Sequence, residues 1–288
     1  MAAPWRPINH GLLMGFAILL IALAVVGSVG YWGWDARAYW AVDPQHPYAM
    51  NLGELGAYLY SPAFAQVVGG IGRLVPLEVF LAVWTMGAVA ALGWLGGPWA
   101  AALLLFPPVA LEILYGNIQL LLAAAVVLGF RWPATWAFVL LTKVTPGVGL
   151  VWFVVRREWR ALGIAVGVTA AIAALSFALA PALWGEWFGL LVGQAGHPTL
   201  DRLGVLPLGP LWLRLAVATA IATLGGLLGY RWPVIVAAAL AMPAVWVTTP
   251  AMLVAIVPLV IMDRRDPLSA MLPMVRPTRL RWSSRHSG

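Results

Sequence analysis

The sequence contains no cysteine, a single lysine and little charge of either sign. Without cysteine there are no disulfides, no thiolate catalysis and no Cys-based metal sites, and the redox compartment stays open. Only 9% of the 288 residues are Asp, Glu, Lys or Arg and 62% are apolar, whereas globular chains carry roughly 25% charge. A water-soluble globule of this length needs a charged surface that 17 basic and 10 acidic residues cannot supply, while lipid requires none. The expected class is therefore an all-α, polytopic transmembrane helical bundle. Sequence signatures are missing too: there is no HExxH, no GxSxG, no Walker loop and no GxGxxG after a strand. Metalloprotease, serine hydrolase, P-loop ATPase and nicotinamide enzyme are disfavoured. A soluble sugar-nucleotide enzyme would need an α/β domain for which no room remains, so a transferase here would take a donor that is itself a lipid.

At about 20 residues per span, the apolar stretches divide into ten: 11–31, 61–74, 77–95, 99–114, 118–130, 133–155, 161–181, 205–229, 233–247 and 251–262. They make one transmembrane domain over 1–262, with outer loops at about 33–60 and 182–203 and a basic tail, 263–288, expected to be disordered on the inner leaflet. The run 11–31 is too long for a signal h-region and has no small-x-small site behind it, so it is expected as a retained span. The net charge of +7 is spread as single or paired residues rather than a stripe, so no nucleic-acid partner is expected. Arg6, Arg73, Arg156, Arg157, Arg160, Arg231, Arg264 and Arg265 can all be cytoplasmic if the spans alternate, with both termini inside a cell membrane and the long loops outside. Arg131 then falls outside and the turn Tyr115, Gly116, Asn117 inside. Swapping these two requires 133–155 to be two half-spans meeting near Lys143 and Pro146, which the proline there permits.

Few polar residues need explaining. Asp35 follows the first span among aromatics, in Tyr31, Trp32, Gly33, Trp34, Asp35, Ala36, Arg37. Partial desolvation raises a carboxyl pKa and a nearby Arg37 lowers it, which leaves a group able to take a proton from a hydroxyl. Taken alone, the residue reads more simply as a helix cap or a surface charge paired with Arg37. The same loop carries Asp43, His46, Glu54, Tyr58 and Tyr60, and Ser61 with Pro62 reads as the cap and first position of a helix. Gly116 and Asn117 are expected to form a turn, with Asn117 capping the next span. Glu112, at a span end, points into protein or water. Lys143, the one lysine, sits in mid-stretch, where insertion costs roughly 2.5–3.5 kcal/mol, so an anionic partner is expected. That partner is either Glu112 or another carboxylate, or a phosphate headgroup at a break in the helix. The later loop adds Trp184, Glu186, Trp187, Gln194, His197, Asp201 and Arg202.

A basic N-terminus and one span, then Asp35 with Tyr39, the run Tyr60, Ser61, Pro62, Ala63, Phe64, Ala65, and a stretch from Pro76 to Trp84 together resemble glycosyltransferase family 87. Gly116, Asn117, Ile118, Gln119 looks like that family's Gly-Gln-x-Asn turn with Asn and Gln exchanged. Lys143 to Pro146 followed by Arg156 and Arg157 is similar to its lysine-proline span with a basic end. The resemblance covers 11–160. It implies a GT-C-type fold and an inverting transfer of a hexose, mannose in the first place, from a polyprenyl-phosphate-linked sugar to a lipid or glycan hydroxyl on the outer face. In that reading Asp35 is the general base, and Lys143, Arg37 and Arg202 hold the donor phosphate. Tyr39, Tyr58, Tyr60, Asn117, Gln119 and His197 are the substrate-binding candidates. No cofactor and no metal is implied, and membrane lipids are the surrounding partners. The main rival is a lipid or small-solute transporter with a midplane site around Lys143, Glu112 and Gln119. A purely structural membrane subunit comes third and leaves Lys143 unexplained.

Overall fold

The computed structural model describes residues 32–50, 58–194 and 208–266. The expected first span 11–31, together with His197, Arg202 and the tail from 267 onward, lies outside the described residues. Among those described the chain is entirely helical, as the composition led one to expect. In order the helices are α1 Trp34–Ala41, α2 Pro62–Gly72, α3 Leu77–Gly96, α4 Pro107–Tyr115, α5 Gln119–Gly129 and α6 Trp136–Thr142. There follow α7 Val151–Val155, α8 Trp159–Leu179, α9 Pro181–Gln194, α10 Leu211–Leu228, α11 Trp232–Leu240 and α12 Ile256–Arg265. Single 3-10 segments, Thr145–Leu150 and Thr249–Ala255, lead into α7 and α12.

Many of these helices are shorter than the expected spans, and proline and glycine are the reason. Three among the described residues are long and apolar enough to cross a bilayer, Leu77–Leu103, Trp159–Leu179 and Leu211–Leu228; a fourth results if α4 and α5, bent by 107° at their junction, are one span. Ten alternating spans are therefore not what the described residues contain. The expected span 61–74 is an 11-residue helix, about 16 Å long, against a hydrocarbon core of about 30 Å. Ser61 caps it as expected, its Oγ accepting from Phe64 N at 3.4 Å, with Pro62 in the first turn. The expected span 133–155 is broken at Lys143, whose backbone is extended between α6 and the turn Thr145–Leu150. Likewise 182–203 is not a loop from its start, since α9 carries Trp184, Glu186 and Trp187.

The breaks sort the molecule into two ends. α5 runs away from Asn117, and the next helix returns beside it, with Thr135 Oγ1 donating to Ala125 O at 2.8 Å. At the far end Phe130 packs against Trp152 and Phe153, at 5.0 and 5.5 Å, and Trp152 Nε1 donates to Tyr230 O. Arg231 there pairs with Asp263 and Asp266, and Asp263 also accepts from the first backbone amides around α11. Arg131, Arg156, Arg231, Arg264 and Arg265 thus share one end. Lys143, Asn117 and Asp35 lie at the other, about 20 Å away along the segment 145–155. Arg131 and the 115–117 turn therefore lie at opposite ends, with the break at Lys143 that the swap requires. Arg73 is corrected as well: it leaves the basic group and pairs with Asp43, in the loop behind α1, at 2.6 Å. Buried Arg214, in the first turn of α10, donates to the carbonyls of Leu240, Met242 and Pro243 and so closes the C-terminal end of α11.

Candidate active site

α1 begins on Gly33, whose left-handed backbone (φ 70°) turns the chain and whose N–H donates to Leu114 O at 2.8 Å. Only glycine tolerates both that conformation and the nearness of Leu81, which lies 2.5 Å from where a Cβ would stand. Gly116 ends α4 with φ 63°, and a Cβ there would meet Ala36 Cβ at 2.7 Å. The start of α1 and the α4–α5 turn are therefore pressed backbone to backbone. Asp35, in the first turn of α1, receives Asn117 Nδ2 on its Oδ2 at 2.7 Å.

Asn117 does not cap α5. Its Oδ1 accepts from the adjacent Ile118 N at 2.7 Å, and the cap is Glu112, whose Oε1 accepts from Gln119 N and Leu120 N. A carboxylate at a helix N-terminus is favoured by the amide donors and by the macrodipole. Glu112 and Gln119 are both fully buried; Glu112 Oε2 and both side-chain polar atoms of Gln119 have no partner among the described residues.

Lys143 projects from the break after α6, its Nζ 5.6 Å from the centroid of the Tyr60 ring. It forms no salt bridge among the described residues, yet it acts electrostatically on both Asp35 and Glu112. Tyr60 and Tyr39 share a hydroxyl–hydroxyl hydrogen bond of 2.7 Å, and Tyr39 packs on Trp84 at 4.9 Å. Tyr48 OH donates to Tyr60 O, and Tyr58, buried, lies 5.3 Å from Tyr60. Burial first, then neighbouring negative charge, raises the hydroxyl pKa values of Tyr39 and Tyr60, so both stay neutral.

In this setting the Asp35 carboxyl is pushed up to about 6, chiefly by burial; Lys143 and the Asn117 hydrogen bond pull it back down. The group is ionised near neutral pH yet more basic than an ordinary aspartate, which suits a general base. Arg37 does not pair with it. Two residues apart on a helix the side chains diverge, and Arg37 Nε instead donates to Trp32 O at 3.1 Å on the exposed side.

Of the candidates read from sequence, the structure gathers Asp35, Asn117, Lys143, Tyr39, Tyr58 and Tyr60, with Gln119 one turn away. It leaves Arg37 apart, and His197 and Arg202 lie outside the described residues. Tyr48 and Trp84 were not singled out by sequence. The spacing of Phe80 and Trp84, four apart and stacked at 5.6 Å, was the available signal for a face turned toward Tyr39. Among the described residues no group of three His, Asp or Glu side chains is placed to hold a metal ion.

The site of this helical membrane protein thus brings an acid, an amide and a lone lysine together beside tyrosines. The comparison with protein families matches glycosyltransferase family 87 over residues 58–274, about three quarters of the chain. The chain belongs to that family and is a glycosyltransferase. Neither a curated protein nor a solved structure matches it. The family leaves the transporter reading without support.

Proposed function

We propose that the protein moves a hexose, mannose in the first place, from a polyprenyl-phosphate donor to the hydroxyl of a lipid or glycan acceptor, with inversion at the anomeric carbon. The observation that carries this reading is the Asp35 carboxylate, held by Asn117 at 2.7 Å and in electrostatic reach of Lys143. Asp35 takes the proton of the acceptor hydroxyl as its oxygen attacks the anomeric carbon. The bond to the donor phosphate breaks, and Lys143 stabilises the negative charge of the leaving phosphate. Tyr60, whose ring lies under Lys143, and its neighbours Tyr39 and Tyr58 form the wall of the sugar subsite, and Gln119 supplies polar atoms to it. Arg37 and Arg202 are the further candidates for the donor phosphate and His197 for the substrate.

The collection of arginines at the end opposite Asp35 supports an orientation with that end cytoplasmic and the site at the outer interface of the cell membrane. A donor whose isoprenoid tail stays in lipid then meets the base without a soluble domain. Such a reaction needs purified protein supplied with polyprenyl-phosphate mannose and, separately, with nucleotide-linked mannose. Transfer from the lipid donor alone, with inverted configuration in the product, is the expected result; transfer from the nucleotide sugar overturns the donor assignment. Replacing Lys143 by Met should raise the donor KM about 10- to 100-fold, as loss of one charge-assisted contact implies. An unchanged donor KM would remove Lys143 from the phosphate site.

A further inference from the structure

We infer that Asn117 is a positioning residue for Asp35, orienting its carboxylate and favouring its ionised form, and not a substrate ligand. This rests on the general-base reading above. Both ends of the Asn117 amide are committed. Its Oδ1 accepts from Ile118 N at 2.7 Å, which directs Nδ2 toward Asp35 and fixes which oxygen it contacts, Oδ2, also at 2.7 Å. In the proposed reaction the other oxygen, Oδ1, takes the proton of the acceptor hydroxyl.

The amide can do this because the turn that bears it cannot drift. Glu112 ties the first amides of α5 to the end of α4, through Gln119 N and Leu120 N. Gly33 N to Leu114 O joins the same turn to the start of α1, and Gly116 lies directly on Ala36. Asp35 and Asn117 are 82 residues apart in sequence, and both are carried by this one block.

The charged and titratable groups that face Asp35 are few. Lys143 comes from the break after α6, Glu112 from α4, and Tyr39 and Tyr60 lie beyond them. From α2, Arg73 is engaged with Asp43; from α3, Glu78 is exposed; on α1 itself Arg37 turns to Trp32 O. Against that background a donated hydrogen bond to the carboxylate favours ionisation. Removing the donor moves the protonation of Asp35 to higher pH.

The test compares Asn117→Ala, Asn117→Asp and Asp35→Asn with the unmodified protein, measuring kcat, donor KM and acceptor KM across pH, with thermal melting to confirm folding. For Asn117→Ala the expected result is a kcat lower by about tenfold, unchanged KM values, and an acid limb displaced upward by about one pH unit. Asn117→Asp, which sets a second carboxylate against Asp35, should displace the limb further. An acid limb that stays in place in folded Asn117 variants, or a loss confined to either KM, overturns the inference and returns Asn117 to substrate binding. The general-base reading fails separately: if Asp35→Asn still transfers sugar at the unmodified rate, that reading is wrong and the positioning role falls with it. If Asp35→Asn is inactive while the Asn117 variants keep the limb, only the positioning role is wrong.

Discussion

At Asp35, burial works against the charged form of a single side chain. Its carboxyl is pushed from an ordinary 3.8 up to about 6, so the folded protein binds that proton more tightly than the unfolded chain does. Stability contributed by this group is therefore present at low pH and is lost as pH rises from about 4 to about 6. Above that range the ionised form costs on the order of 2–3 kcal/mol. Asp35→Asn should accordingly melt at a higher temperature than the unmodified protein at pH 7.5, with the gain shrinking below pH 5. A melting temperature lowered at pH 7.5 would mean that the carboxylate holds the site together instead of straining it. Asp35 was legible in sequence because a carboxylate among Trp32, Trp34 and Trp40 is unusual. Its partner was not: Asn117 is far away in the chain, and a short polar residue after glycine reads most simply as a cap. Buried Arg214 went unremarked inside an apolar stretch, although a lone arginine there has to find partners, and finds them in three carbonyls at the end of α11.

Among the elements, the decisive one is the α4–α5 turn. Sequence foretold its existence from Gly116 and Asn117, and equally the cap and first proline of α2. It did not foretell that the turn bends the chain by 107° and lies against α1, because that depends on Gly116 meeting Ala36, a contact between segments 80 residues apart. Gly116→Ala should lose activity without altering Asp35 itself. A left-handed alanine costs about 1–2 kcal/mol, and its Cβ pushes the turn off Ala36, lengthening the Asn117–Asp35 contact. Activity at least tenfold below the unmodified protein, in a variant that retains its helical circular dichroism, is the expected outcome; full activity would show that the close approach is dispensable. Span boundaries were the least legible part, since hydropathy reports an apolar stretch and not whether proline or an extended lysine divides it, as at Lys143.

Across the described part of the molecule, Arg131, Arg156, Arg231, Arg264 and Arg265 gather at the end away from Asp35. Sequence balanced two topologies and could not choose, because the choice turns on whether 133–155 crosses once or doubles back. The break at Lys143 places Arg131 with Arg231, Arg264 and Arg265, and Asp35 with the opposite end. Since the chain has no native cysteine, single cysteines report topology directly. His46→Cys, on the exposed loop behind α1, should react with a membrane-impermeant thiol reagent added from the outer side of intact cells. Arg131→Cys and Arg264→Cys, both exposed at the basic end, should react only after the membrane is opened. Labelling of all three from one side would contradict the two-ended arrangement.

The proton-abstracting role of Asp35 is tested most directly by single-turnover transfer from bound polyprenyl-phosphate sugar, followed from about pH 4.5 to 8 in the unmodified protein and in Asp35→Asn. The expected rate of the unmodified protein climbs with pH to a plateau, with its midpoint near 6. The variant should bind donor normally and transfer sugar about 10² to 10⁴ times more slowly, without that climb. Transfer by Asp35→Asn at the unmodified rate would contradict it.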